Sequence, residues 1–134
     1  MKKLSLLAML TVLIGSALFV ISCGGKIQAD TVQADTVWKI TKQDGASVEA
    51  WDQYVYFGAD NKMITAKKIF GTLKKERSGE YTAKNGKIKA LIIPGGAEAD
   101  YKISGETMTI SKSGVELYVL KKVTSPTAKE MKAL

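Results

Sequence analysis

Gly79-Glu80-Tyr81-Thr82-Ala83-Lys84-Asn85-Gly86-Lys87-Ile88-Lys89-Ala90-Leu91-Ile92-Ile93 is the stretch that decides the fold class. Tyr81 and Ala83 alternate with Glu80, Thr82 and Lys84, and beyond Asn85-Gly86 the apolar Ile88, Ala90 and Ile92 alternate with Lys87 and Lys89. A period of two sends one set to the buried face of a sheet and the other to water. Both central residues of a type I′ turn need positive φ, which Asn and Gly tolerate best, so the stretch predicts a hairpin.

Working outward, the alternation recurs. Downstream, Tyr101 and Ile103 share a side, Gly105-Glu106 makes a two-residue turn, and Met108 and Ile110 return on that side, with Lys102, Thr107 and Thr109 outside. Lys112-Ser113-Gly114 then turns the chain into 115–123, where Val115, Leu117 and Val119 are expected inward and Glu116 and Lys122 outward. Upstream, 37–41, 48–57 and 63–73 are β-rich and are divided by Gln43-Asp44-Gly45 and Gly58-Ala59-Asp60-Asn61. In 63–73 apolar residues fall on both faces around Lys67-Lys68, which a bulge near Lys67 or Gly71 would explain. The pattern predicts an all-β domain, an antiparallel meander of about eight strands forming a small barrel or sandwich. After Ser125-Pro126, Thr127 and Glu130 stand at capping-box spacing, and Ala128, Met131 and Leu134 fall on one face of a short terminal helix.

Composition narrows the chemistry. The 134 residues have room for one domain, and of the net charge of +7, the +5 left after setting aside Lys2 and Lys3 is spread along the strands rather than gathered in a tail. There is no histidine, and Cys23 is the only cysteine, so disulfides and the usual transition-metal ligands are missing and no metal site is expected. Without a histidine or a free thiol, the candidate bases are carboxylates such as Asp52, Glu80, Glu98, Asp100, Glu106 and Glu116, and none sits in a catalytic constellation. No catalytic residue, and so no enzyme, is expected. No nucleic-acid module pattern appears either.

Lys2 and Lys3 precede an uncharged apolar run over 4–21, the pattern of a helical export signal. The run closes in Val20-Ile21-Ser22-Cys23 and is followed by Gly24-Gly25. This resembles the lipobox of bacterial lipoproteins: an aliphatic residue three before the cysteine, a small residue immediately before it, and the cysteine itself. The resemblance implies cleavage between Ser22 and Cys23, a diacylglyceryl group on the Cys23 sulfur and an acyl chain on the new amine, with no other cofactor. At about 0.8 kcal/mol per buried methylene, two or three chains hold a protein on a membrane essentially permanently. Gly24 in place of aspartate implies the outer membrane, facing the periplasm or the cell surface.

Gln28-Ala29-Asp30-Thr31-Val32 is repeated at once as Gln33-Ala34-Asp35-Thr36-Val37. A period of five suits neither helix nor strand, and the small polar residues read as a spacer. The organisation expected is therefore a signal peptide over 1–22, a lipidated tether over 23–36, a β domain over 37–124 and a tail over 125–134.

The β domain also resembles the small lipocalin-like domains of many bacterial lipoproteins. The similarity lies in the order of Trp38, the aromatic run through Tyr56-Phe57, Gly79-Glu80-Tyr81-Thr82 with Asn85-Gly86-Lys87-Ile88, the hairpin from Tyr101 to Ile110, and a closing strand over 117–123. It implies a meander closed around an apolar interior that holds a small hydrophobic molecule. Thr36 stands where lipocalins proper have glycine, and Arg77 is the only arginine.

Two groups of residues carry the functional expectations. Trp38, Trp51, Tyr54, Tyr56, Phe57 and Phe70, together with Tyr101, are either core or a ligand pocket, and Tyr54 and Tyr56 share the strand face opposite Trp51, Val55 and Phe57. Lys62, Lys67, Lys68, Lys74, Lys75 and Arg77 make the middle of the chain basic. They serve either as solvated, edge-protecting faces or as a contact for anionic lipid headgroups or a polyanion. The reading overall is a non-enzymatic, membrane-anchored binding protein with a small hydrophobic ligand. The alternative is an interaction protein with a filled core, contacting an envelope or host protein.

Overall fold

The computed structural model describes residues 32–134; the signal peptide, Ser22 and Cys23 lie outside the described residues. Among the described residues, ten strands form one sheet. They are β1 Thr36–Gln43, β2 Ala46–Ser47, β3 Gln53–Phe57, β4 Lys62–Ile69, β5 Thr72–Glu80, β6 Thr82–Lys84, β7 Lys87–Lys89, β8 Ala99–Ser104, β9 Thr107–Lys112 and β10 Val115–Val123. The hydrogen-bonded order is β5-β4-β3-β1-β10-β9-β8-β7-β6, with β2 paired onto β1. All neighbours are antiparallel. β5 and β6 are the two ends of this order, yet only Tyr81 separates them in the chain. The sheet must therefore curl until its ends approach, which makes a half-barrel. At that seam a Cβ on Gly79 would lie 3.1 Å from the Leu91 side chain, which would have to shift by a few tenths of an ångström to admit it.

The all-β antiparallel meander is as expected, with two local differences in strand count. The 63–73 stretch is a hairpin rather than one bulged strand: Phe70 and Gly71 take φ of 51° and 79°, the paired positive values of a type I′ turn. Its register also shifts between Thr65 and Ala66, close to the expected bulge. The short β2 adds the other strand. The Asn85-Gly86 hairpin forms as read, with φ of 54° and 77°.

One face assignment is reversed. Val115, Leu117 and Val119 were expected inside, but Tyr118 and Leu120 join the interior cluster and Val115 is exposed. The cause is a register shift after Ile110, where Ile110 pairs with Tyr118 while Ser111 pairs with Glu116. Leu117 is the extra residue, and one extra residue turns every later side chain to the other face.

Two separate hydrophobic clusters flank the sheet. The concave face holds Trp38, Val55, Phe57, Met63, Ile88, Met108, Ile110 and Leu120. The convex face of β1, β3 and β4 holds Val37, Tyr54, Tyr56 and Ala66, covered by Met131 of the single described helix, α1 Ala128–Lys132. That helix starts on the expected capping box: Glu130 N donates to Thr127 Oγ1 at 3.1 Å, and Thr127 N donates to Glu130 Oε1 at 2.9 Å. Both clusters belong to the segment Thr31–Leu134, which is a compact unit by itself.

Strand β1 begins at Thr36, one residue before the expected domain start, so the second pentapeptide copy runs into the fold. Thr36 Oγ1 donates to Gln33 O at 2.7 Å and accepts from Trp38 Nε1 at 3.0 Å. Asp35 accepts a 2.5 Å hydrogen bond from the Tyr56 hydroxyl.

Candidate functional site

The period-two reading puts Gln53 on the same face of β3 as Val55 and Phe57, and Thr65 on the same face of β4 as Met63. Arg77 pairs with Thr65 from β5. All three therefore face the concave side, toward the end of the sheet where β3 begins. There they line a cavity of about 410 Å³ whose apolar walls include Ile40 and Ile92 and whose far side is Tyr118. Deeper in, the concavity is closed by side chains with no exposure at all, among them Phe57, Met63, Ile110 and Leu120.

The cavity is polar where the deep core is not. Gln53 Oε1 and Thr65 Oγ1 are buried and have no hydrogen-bond partner within the protein. A buried polar atom left unpaired costs about 1–3 kcal/mol, so these two oxygens are a standing cost that a bonded partner would remove. Arg77 Nη2 donates to Leu91 O at 2.9 Å and Tyr118 Oη donates to Ile92 O at 2.7 Å. Two walls thus hold consecutive carbonyls of the segment that crosses the seam, and Leu91 N is held in turn by Met63 Sδ at 3.3 Å. Burial pushes the Tyr118 hydroxyl pKa above its usual 10.0, the negative charge of Asp44 adds to this, and Arg77 opposes it. The site therefore offers a neutral phenol at Tyr118, the Arg77 guanidinium, the Glu76 carboxylate, the amides of Gln43 and Gln53 and the Thr65 hydroxyl beside aliphatic walls. That set can hold and orient a molecule by hydrogen bonds, charge and packing.

The aromatic candidates do not converge on this cavity, and Phe70 is neither core nor pocket but fully exposed at the tip of the β4–β5 hairpin. Trp38, Phe57 and Tyr101 are interior core residues, with Phe57 edge-on to Tyr81 at 4.8 Å between ring centroids. Tyr54 and Tyr56 belong to the convex cluster beneath α1, although Tyr54 also borders the cavity. The two aromatic faces of β3 thus serve two different cores. Trp51 is solvent-exposed on a single 3-10 turn, Glu49–Trp51, ahead of β3. The lipidation and cleavage residues, Cys23 and Ser22, lie outside the described residues.

Gln53, Thr65 and Tyr118 escaped the sequence reading because polar residues in a strand read as solvent-facing. The available signal was parity: Gln53 is in phase with Val55 and Phe57, and Thr65 with Met63. Three of the carboxylates considered as bases are engaged with lysines. Asp52 lies 3.2 Å from Lys39, Glu80 3.1 Å from Lys62, and Asp100 contacts Lys87. Among the described residues no cluster of acidic, histidine or cysteine side chains could hold a metal ion, and no helix is long and apolar enough to cross a membrane. No protein-family model matches the chain, and comparison with curated proteins and with solved structures gives no match.

Proposed function

We propose that this chain is a bacterial envelope lipoprotein, anchored through lipid on Cys23, whose half-barrel binds a small molecule without transforming it. The observation that carries the binding part is the pair of unpartnered buried oxygens, Gln53 Oε1 and Thr65 Oγ1, in the wall of the 410 Å³ cavity. An interior meant only for stability gains by replacing such groups with hydrocarbon, whereas a binding site keeps them to recognise a partner. With Arg77 and Tyr118 beside Ile40 and Ile92, the lining suits a molecule with a hydrogen-bonding head and an apolar body. A wholly hydrophobic ligand would leave both oxygens unpaired. The anchor rests on the lipobox resemblance of Val20-Ile21-Ser22-Cys23, and the outer membrane is the destination proposed from Gly24.

Native mass spectrometry of the segment Thr31–Leu134, purified from its own cells, tests the binding. A co-purified small molecule is expected in the unaltered protein, and the Gln53→Leu/Thr65→Val double variant should lose it while becoming more stable to urea. A segment that is always empty, or a double variant that retains the ligand, overturns the site. Anchoring is tested apart, since Cys23→Ala should release or misprocess the protein, and a cleaved chain retained on the membrane overturns lipidation.

The filled deep concavity favours the second reading, a protein that works through its outer surface. In-cell crosslinking that traps one reproducible envelope or host protein, together with an empty cavity, decides for it.

A further inference from the structure

Among the described residues, the large hydrophobic side chains left exposed are Trp51 at 53%, Ile69 at 44%, Phe70 at 103% and Val115 at 63%. The antiparallel register puts all four at one end of the sheet, where β4 ends and β3, β5 and β10 begin. Ile69 and Phe70 form the tip of the β4–β5 hairpin, and Phe70 projects from the fold without covering anything.

This hairpin is built against its own stability in two ways. A bulky aromatic occupies a left-handed turn position, φ 51°, that asparagine or glycine would hold without strain. Directly behind it, Lys67 faces Lys74 across the strands, a like-charge pair where an opposite charge would stabilise. Over 62–79 there are six basic residues, Lys62, Lys67, Lys68, Lys74, Lys75 and Arg77, against the single acid Glu76. Edge protection explains Lys74 and Lys75, which lie on the terminal strand β5. It does not explain Lys67 on the inner strand β4, nor an aromatic held in water, whereas Lys68 Nζ lies 5.9 Å over the Tyr54 ring centroid. Elsewhere at this end Asp44, Glu49 and Glu116 are present, and Asp52 is paired with Lys39, so the hairpin itself is where positive charge collects.

We propose that the β4–β5 hairpin docks on an anionic lipid bilayer, with Ile69 and Phe70 entering the headgroup–acyl boundary and Lys67, Lys68, Lys74 and Lys75 resting on the headgroups. The bilayer resolves both local conflicts: it takes up the aromatic ring and places negative charge between the opposed lysines. This rests on the envelope-membrane reading above but is independent of the lipid on Cys23.

The test uses the segment Thr31–Leu134, which lacks Cys23, in sedimentation with vesicles of equal phosphatidylglycerol and phosphatidylcholine or of phosphatidylcholine alone. Binding is expected to the anionic vesicles only and to weaken with salt. Phe70→Asn, which suits the turn and keeps the fold, should weaken it about ten-fold, and Lys74→Gln/Lys75→Gln about 30-fold. No binding to anionic vesicles, equal binding to both compositions, or a Phe70→Asn variant that binds like the parent overturns the proposal. So does equally tight, Phe70-independent binding to soluble polyphosphate, which would show a general polyanion contact. Each of these failures leaves the Cys23→Ala result, and so the anchor, standing.

Discussion

Phe70 shows how much a single side chain can cost when its environment is water on all sides. Left-handed backbone costs an ordinary L-residue about 1–2 kcal/mol, and this ring recovers none of it by burial. Phe70→Asn should therefore raise the unfolding free energy of the segment by about 1 kcal/mol, read as a higher urea midpoint at unchanged slope. A lower midpoint would mean that the ring packs on something in the free protein. Tyr56 is the converse case. Burial first, then its hydrogen bond to Asp35, pushes its pKa from 10.0 to about 12, so the fold prefers the neutral phenol. The unfolded chain ionises first as pH rises. The stabilisation is complete below about pH 10 and is lost as pH climbs through about 12. Tyr56→Phe should cost about 1 kcal/mol at neutral pH and flatten the alkaline loss, which urea unfolding at a series of pH values will show. The sequence could not reveal this bond, because Asp35 belongs to a repeat whose composition reads as spacer.

At the scale of elements, local chemistry was readable wherever turn residues mark it. Asn85-Gly86, Gly105-Glu106 and Ser113-Gly114 each carry a side-chain type matched to the turn, and each falls between strands as expected. Phe70-Gly71 carries no such mark on its first residue, so the hairpin it closes was read as one irregular strand. The bulge at Leu117 was also silent, since an extra residue changes facing without changing composition. Helix α1 was legible from Thr127 and Glu130, but five residues cannot hold a helix in water alone. Tertiary packing decides, and Met131, with no exposure, is the contact that supplies it. Met131→Ala should lower stability by about 2–3 kcal/mol and increase binding of a hydrophobic dye to the uncovered convex cluster. Retained stability with α1 still docked would reassign the anchor to Pro126.

For the whole molecule, period-two alternation was enough to give the all-β antiparallel class, because most strands have one wet face and one dry face. What it could not give was the second dry face under α1, nor which aromatics went where. Tyr54 and Tyr56 are as buried as Trp38 and Phe57, on the opposite side of the same sheet. The cavity residues were hidden for a related reason: a polar atom pointing inward has the same sequence signature as one pointing out.

Val32 packs against the interior cluster and β1 starts at Thr36 at the end of the sheet opposite the Phe70 hairpin. The start of β1 and the aromatic prow at Phe70 therefore sit at opposite poles of the domain. Nine residue steps from Cys23 to Val32 span at most about 31 Å, and the eight residues of β1 alone run about 27 Å. If Cys23 carries lipid and the hairpin docks, as proposed, both contacts must reach one leaflet within that span. Excising Gly24 to Gln28 would halve that reach and force the protein to choose between its two footholds, seen as a hairpin no longer shielded from proteases in intact vesicles.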